Sequence, residues 1–318
     1  MKLFSPTNRV LQGLQVILLA AFAVGAPMSA APNNDVEKLE QSYSFEFLTF
    51  KGDTPPQTFL EVFCQIPAAQ KFQFIKVIDG FVATYEIAIT ILDAQNTVVA
   101  NLQHADSVKV GAYSEIFLPW EPQLIRFTFL LNPGDYLAQV RIVDRKTLAD
   151  FHFNKKITLP NFFDSSLKLS SLQLSSSIEQ SAGESVLVKN NLKIIPNVPH
   201  LFGFEYTTLY FYSEIYNLDF AGPKPFSAFN VTATVFDQNG QAVKTLKQTY
   251  PKPAAACVLS FGIPIADLGL GNYRLVIAVE DINSGAQATQ AANFVVLAPS
   301  PISSAKTSTA SGSVHSIQ

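Results

Sequence analysis

From residue 57 to residue 298 apolar and polar side chains alternate with a period of two, the mark of strands buried on one face. Phe81, Ala83, Tyr85, Ile87, Ile89 and Ile91 fall on one side of such a run, with Thr84, Glu86 and Thr90 on the other. Phe229, Val231, Ala233 and Val235 alternate with Asn230, Thr232 and Thr234 in the same way. Helix-period segments are scarce, and the runs end in Gly, Pro, Asn and Asp. Strands joined by turns without intervening helices predict an all-β chain of antiparallel sandwiches, immunoglobulin-like or fibronectin-like in type.

An internal repeat sets the domain count. GDYLAQVRIVD runs from Gly134 to Asp144 and GNYRLVIAVED from Gly271 to Asp281. Each is Gly, a short polar residue, Tyr, and an alternating strand that ends in Asp. Before them stand Leu92-Asp93-Ala94-Gln95-Asn96 and Phe236-Asp237-Gln238-Asn239-Gly240, each a strand end entering a hairpin turn. Two tandem sandwiches, over 57–160 and 166–298, account for this spacing. Tyr136 and Tyr273 are expected as matched structural corners, each hydroxyl bonding nearby backbone, rather than as catalytic acids. Residues 31–56 read as a linker and 299–318, rich in Ser, Thr and Ala, as a disordered tail.

The N-terminus carries an address. Lys2 and Arg9 precede the apolar run Val16–Val24, VILLAAFAV, and small residues follow it. That is the pattern of a cleavable export signal over residues 1–30, with the cut after Ala30 and no membrane span left once it is removed. Met28 fits the small-residue rule poorly, so an uncleaved anchor is the alternative. A periplasmic, extracellular or cell-surface location follows from either.

One strand departs from simple alternation. Between Leu209 and Tyr216, residues Leu209, Phe211, Ser213 and Ile215 make one face, and Tyr210, Tyr212, Glu214 and Tyr216 the other. Phe202, Phe204, Phe220 and Phe226 flank it. A strand buried on one side shows polar residues outward, and three tyrosines are an unusual choice for that role. Two readings stay open. The face packs against the neighbouring domain, or it is an exposed aromatic platform for a protein or glycan partner.

Composition narrows the chemistry. The chain has 318 residues, 48% of them hydrophobic and 15% charged, with a net charge of −3. That argues against a disordered chain and against nucleic-acid binding, which needs a basic stripe. His104, His152, His200 and His315 show no metal-pair spacing, and His104-Ala105-Asp106 reads as a solvated turn. Asp237-Gln238-Asn239-Gly240 looks like the start of a calcium loop, but its twelfth position is Gln248 where Glu is needed. No metal site and no cofactor is expected. Neither a nucleophile elbow nor a phosphate-binding glycine loop is present. Cys64 and Cys257 share faces with core residues of different domains and are read as buried, unpaired thiols. Asn230-Val231-Thr232 is a sequon in a central strand and reads as accidental.

The stretch LEVFCQIPAAQKFQFIKVIDGFVATYEIAITILD from Leu60 to Asp93 resembles the N-terminal region of bacterial GWxTD domain-containing proteins. So does Pro196-Asn197 followed by LYFYSEIYNL, Leu209 to Leu218. The resemblance covers most of 57–298 and implies the sandwich pair and export, with no reaction attached. The Gly-Trp-x-Thr-Asp string of that family is absent, and the single tryptophan is Trp120. The expected function is therefore an exported, non-catalytic scaffold or protein-interaction module. The alternatives are a carbohydrate-binding module using Tyr210, Tyr212, Glu214 and Tyr216, and an enzyme with an unrecognised site.

Overall fold

The computed structural model describes residues 43–66, 72–117, 122–203, 206–220, 227–298 and 314–317. Among them the chain is all-β, apart from one 3-10 turn at Tyr113–Phe117. The export signal, its cleavage site, Trp120, Phe204 and Phe226 lie outside the described residues.

The first sandwich is built from β1 (Ser44–Lys51), β2 (Thr58–Ile66), β3 (Ile75–Val77), β4 (Gly80–Leu92), β5 (Val98–Val110), β6 (Gln123–Leu131), β7 (Gly134–Asp144) and β8 (Asp150–Leu159). One sheet runs β1-β2-β6; the other runs β5-β4-β7-β8, with β3 beside the start of β4. Leu60, Val62 and Cys64 of β2 and Ile125 and Phe127 of β6 meet Tyr85, Ile87, Ile89 and Ile91 of β4 and Val140 and Ile142 of β7. Each such aliphatic side chain, fully withdrawn from water, contributes about 1.5–3 kcal/mol.

The second sandwich holds β9 (Lys168–Leu169), β10 (Gln173–Gln180), β11 (Val188–Lys189), β12 (Leu192–Pro196), β13 (Leu201–Gly203), β14 (Thr208–Tyr216), β15 (Ala228–Asp237), β16 (Ala242–Pro251), β17 (Cys257–Pro264), β18 (Gly271–Asp281) and β19 (Gln287–Leu297). Its sheets are β11-β12-β10-β14-β17, with β9 on β14, and β13-β19-β18-β15-β16. Leu209, Phe211 and Ile215 face Val231, Ala233, Leu275 and Ile277 across this core. The wiring repeats: β10-β14-β17 matches β1-β2-β6, and β16-β15-β18-β19 matches β5-β4-β7-β8.

The repeated strings have repeated jobs. Asp93 Oδ1 accepts the amides of Gln95 and Thr97, and Asp237 Oδ1 those of Asn239 and Gln241, so each Asp closes a hairpin turn. Tyr136 donates its hydroxyl to the Asn132 carbonyl at 2.9 Å, and Tyr273 donates to Gly269 at 2.8 Å. Asp144 accepts the amides of Lys146, Thr147 and, from the loop before β3, Gln73. Asp281 accepts those of Asn283, Ser284 and, from the loop before β15, Asp219. Each Asp therefore ties the turn after its own strand to a crossing loop. Burial opposes the charged form of both, but hydrogen bonds outweigh it and hold both carboxyls below the usual range, the amides at Asp144 and, at Asp281, the Lys252 ammonium first and the amides after it.

Two expectations about the ends need correction. The linker anticipated over 31–56 contains β1, paired with β2 from Ser44↔Gln65 to Lys51↔Thr58. Its string SFEFLTFK hides the alternation because both faces carry large apolar side chains, Leu48 and Phe50 buried on one and Phe45 and Phe47 half-buried on the other. At the other end, Val314–Ile317 forms β20, parallel to β6, where a disordered tail was anticipated. β6 offers a main-chain edge uninterrupted by Gly or Pro, which a four-residue segment can extend. Residues 31–42 and 299–313 lie outside the described residues. Cys64 and Cys257 are both free, and burial raises both thiols, Cys257 to about 11.

Candidate functional site: the seam between the sandwiches

β14 is buried on both faces. Its odd residues enter the core of the second sandwich, and its even residues face the first. Tyr212 is fully buried among Leu48 and Phe50 of β1, Phe63 of β2, and Leu187, Ile194 and Val198. Its ring lies 6.1 Å from that of Phe50. Tyr216, 4% exposed, meets Phe162 edge-on at 5.0 Å and accepts the Lys51 amide at 3.1 Å. Tyr210 is half-buried and lies across Gly262 of β17, where an added Cβ would come within 2.9 Å of its ring.

The four residues anticipated as one site are thus brought together, but not as a platform. Tyr212 and Tyr216 are sealed between the sandwiches, and Tyr210 is half-buried, so the three rings do not form one exposed surface. The physical reason lies in β1 and β2. Glu46, Leu48 and Phe50 alternate outward from the first core, as do Phe59, Glu61 and Phe63, and this second apolar face demands a cover.

Around Tyr212 and Glu61 the polar atoms of the seam are paired, whereas Glu46 Oε2 is buried without a hydrogen-bond partner among the described residues. Tyr212 donates to Glu214 Oε1 at 2.5 Å and accepts from Asn190 at 2.6 Å. Tyr216 donates to Glu214 Oε2 at 2.7 Å. Burial first, and the Glu214 charge second, push both phenols far above their ordinary range. Glu61, 1% exposed, meets Arg126 of β6 at 3.3 Å and Lys189 of β11. The Lys189 ammonium also lies 3.3 Å from Gln173 Oε1 and 4.1 Å above the Phe50 ring. Burial lowers its pKa, partly offset by Glu61. A buried charge survives when it is matched and hydrogen-bonded in this way.

Backbone crosses the seam as well. Ser171 donates its amide to the Thr49 carbonyl, and Thr49 donates its own to Ser171 Oγ. The connection between the sandwiches is pinned by Asn217, whose amide donates to the carbonyls of Asp164 and Ser166 at 2.8 Å each. At one margin a cleft of about 380 Å³ opens between Glu46, Lys155, His200 and Gln290.

Sequence reasoning missed Glu46, Glu61, Arg126, Lys189 and His200. A charge in the middle of an apolar run, as in TFLEVFCQI, was the available signal for Glu61. Among the described residues no group of three or more His, Cys, Asp or Glu side chains could hold a metal ion. His104 and Asp106 lie 3.8 Å apart on β5. No described helix is long and apolar enough to cross a membrane.

No protein-family model and no curated protein matches the chain. A β-glucuronidase of Bacteroides uniformis is 14% identical over 80% of this chain and 31% of its own, with a TM-score of 0.25. Dimeric latent PorU from Porphyromonas gingivalis is 12% identical over 85% and 22%, with a TM-score of 0.25. A glycosyl hydrolase family 2 member from Bacteroides cellulosilyticus is 10% identical over 76% and 28%, with a TM-score of 0.26. The chain spans less than a third of the length of each of these three.

Proposed function

We propose that the protein is an exported, non-catalytic interaction module: two fibronectin-like sandwiches fused into one rigid body that presents its outer sheets to a protein partner. The observation that carries this is the seam. It consumes the aromatic face of β14 and joins the sandwiches through apolar, charged and main-chain contacts, so the surfaces left for recognition are the outer sheets and their edges. Matched edges of those sheets display apolar side chains, Val98 and Val99 on β5 and Val243 and Leu246 on β16. Export is supported by the basic start and the Val16–Val24 run. The resemblance to the N-terminal region of GWxTD domain-containing proteins supports the same reading. The carbohydrate-binding alternative is the weaker reading, since it calls for exposed rings and Tyr212 and Tyr216 are buried.

The test is photo-crosslinking in the native host, with a photoreactive residue at Val99 or Leu246 and at an internal control, Ile87. A discrete adduct from the two edges and none from Ile87 is expected, in the exported fraction. Absence of any edge adduct, or retention of the protein in the cytoplasm, overturns the proposal.

A further inference from the structure

His200 is held in an unusual setting at the seam. Its backbone sits at φ +55°, which few residues other than Gly adopt, and is fixed by its amide to the Asn197 carbonyl and by its carbonyl to the Val295 amide. Its ring bridges the two sandwiches. Nδ1 lies 2.8 Å from the Asn293 carbonyl of β19, and Nε2 lies 2.9 Å from Glu46 Oε1 of β1. With Glu46 ionised, a carbonyl and a carboxylate are both acceptors, so both contacts are hydrogen bonds only when both ring nitrogens carry a proton. Neutral imidazole has only one.

From this geometry we infer that His200 and Glu46 form a proton-dependent latch across the seam, closed while the imidazole is doubly protonated and released when it loses a proton. On release one ring lone pair faces an oxygen, and Glu46 keeps its charge without its hydrogen-bonded cation. Glu46 is 6% exposed, and its Oε2 has no hydrogen-bond donor among the described residues. Leaving such a carboxylate uncompensated favours opening of that margin to water. The charged groups facing the ring are Glu46 from β1 and Lys155 from β8; β19 offers the Asn293 carbonyl and Gln290. Lys155 has its ammonium 4.9 Å over the Phe47 ring and donates to neither ring nitrogen.

The sign follows from the balance at the ring. Burial acts to lower the pKa of His200, but the hydrogen bond and charge of Glu46 outweigh it, and the net shift is upward from 6.5. Stability of the latch is therefore complete below pH 6.5 and lost as pH rises through the folded-state pKa above it.

Hydrogen exchange on the full chain tests this. The seam amides of Val295 and Leu201 are compared with the core amide of Ile277 between pH 5.5 and 9. Seam protection relative to the core should fall with rising pH, by about tenfold for each unit the ring's pKa stands above its ordinary value. His200→Gln should remove the fall, and Lys155→Gln should move it to higher pH, since that ammonium disfavours a second cation. A flat ratio in the wild type, or the same fall in His200→Gln, overturns the latch. Should His200→Gln fail to fold, nitrogen NMR of the wild-type ring decides. Two protonated nitrogens at pH 7 support the latch; one bare nitrogen at pH 6.5 overturns it.

Discussion

At Leu148 the backbone adopts φ +62°, and the residue at the matching position of the second sandwich is Gly285, at φ +70°. Both sit in the hairpin after the repeated strand, where Asp144 and Ala149, or Asp281 and Ala286, close the turn. A left-handed conformation costs a non-glycine residue about 1–2 kcal/mol, and Leu148 is 71% exposed, so it recovers little by packing. Leu148→Gly should therefore stabilise the first sandwich by up to about 1 kcal/mol after the added flexibility of the unfolded chain is counted. Chemical denaturation would show it as a raised midpoint. Lys252 is the opposite case. Its ammonium, 0% exposed, donates to Asp281, Asn283 and the Asp219 carbonyl, which uses all three protons. Lys252→Met leaves Asp281 buried without its cation and should cost about 3–5 kcal/mol, read by the same denaturation. Residue roles fixed by local context were legible: the repeated Gly-x-Tyr and the closing Asp have both partners within a few positions or in a repeated string. Lys252 was not, because its partners lie in the turn and loop around Asp281 and nothing local marks them.

For whole elements, legibility depended on how many faces were covered. β4 and β15 each bury one face, and their alternation reads directly from the sequence. β1 and β14 carry apolar side chains packed on both faces, so SFEFLTFK gave no clear period and LYFYSEIY left its second face open to two explanations. What separates those explanations is the partner strand, and pairing across sandwiches leaves no local pattern. The Glu214 carboxylate between two phenols provides a test. Tyr212→Phe removes one charge-assisted hydrogen bond and leaves Asn190 and Glu214 short of a partner, at a cost of about 1.5–3 kcal/mol. A midpoint within error of wild type would show that this hydroxyl contributes nothing. The same phenols set an alkaline limit. Their folded pKa values are raised, so the stability they give is intact below pH 10 and erodes as pH rises beyond it.

Across the molecule, the seam makes a stronger statement than the connection that spans it. Residues between Leu159 and Lys168 tether the sandwiches, yet Phe162 and Asn217 hold that tether against β14 rather than leaving it as a hinge. If the contact surfaces dominate, cutting the tether should change little. A protease site placed at the exposed Ser165-Ser166 pair, cleaved in the folded full chain, should yield two fragments that co-elute on gel filtration at micromolar concentration. Ionic contacts this deeply buried are weakly screened, so added salt should not separate them. Replacing Lys189 by Met leaves Glu61 with Arg126 alone, and replacing Tyr212 by Ala opens a cavity beside Phe50 and Phe63. With both changes the cleaved fragments should part, and the freed faces of β1, β2 and β14 should bind a hydrophobic dye that the uncut wild type excludes. Fragments that separate on cleavage of the wild type, each still folded, would make the tether the thing that holds the sandwiches together, and the rigid-body reading would fall with it.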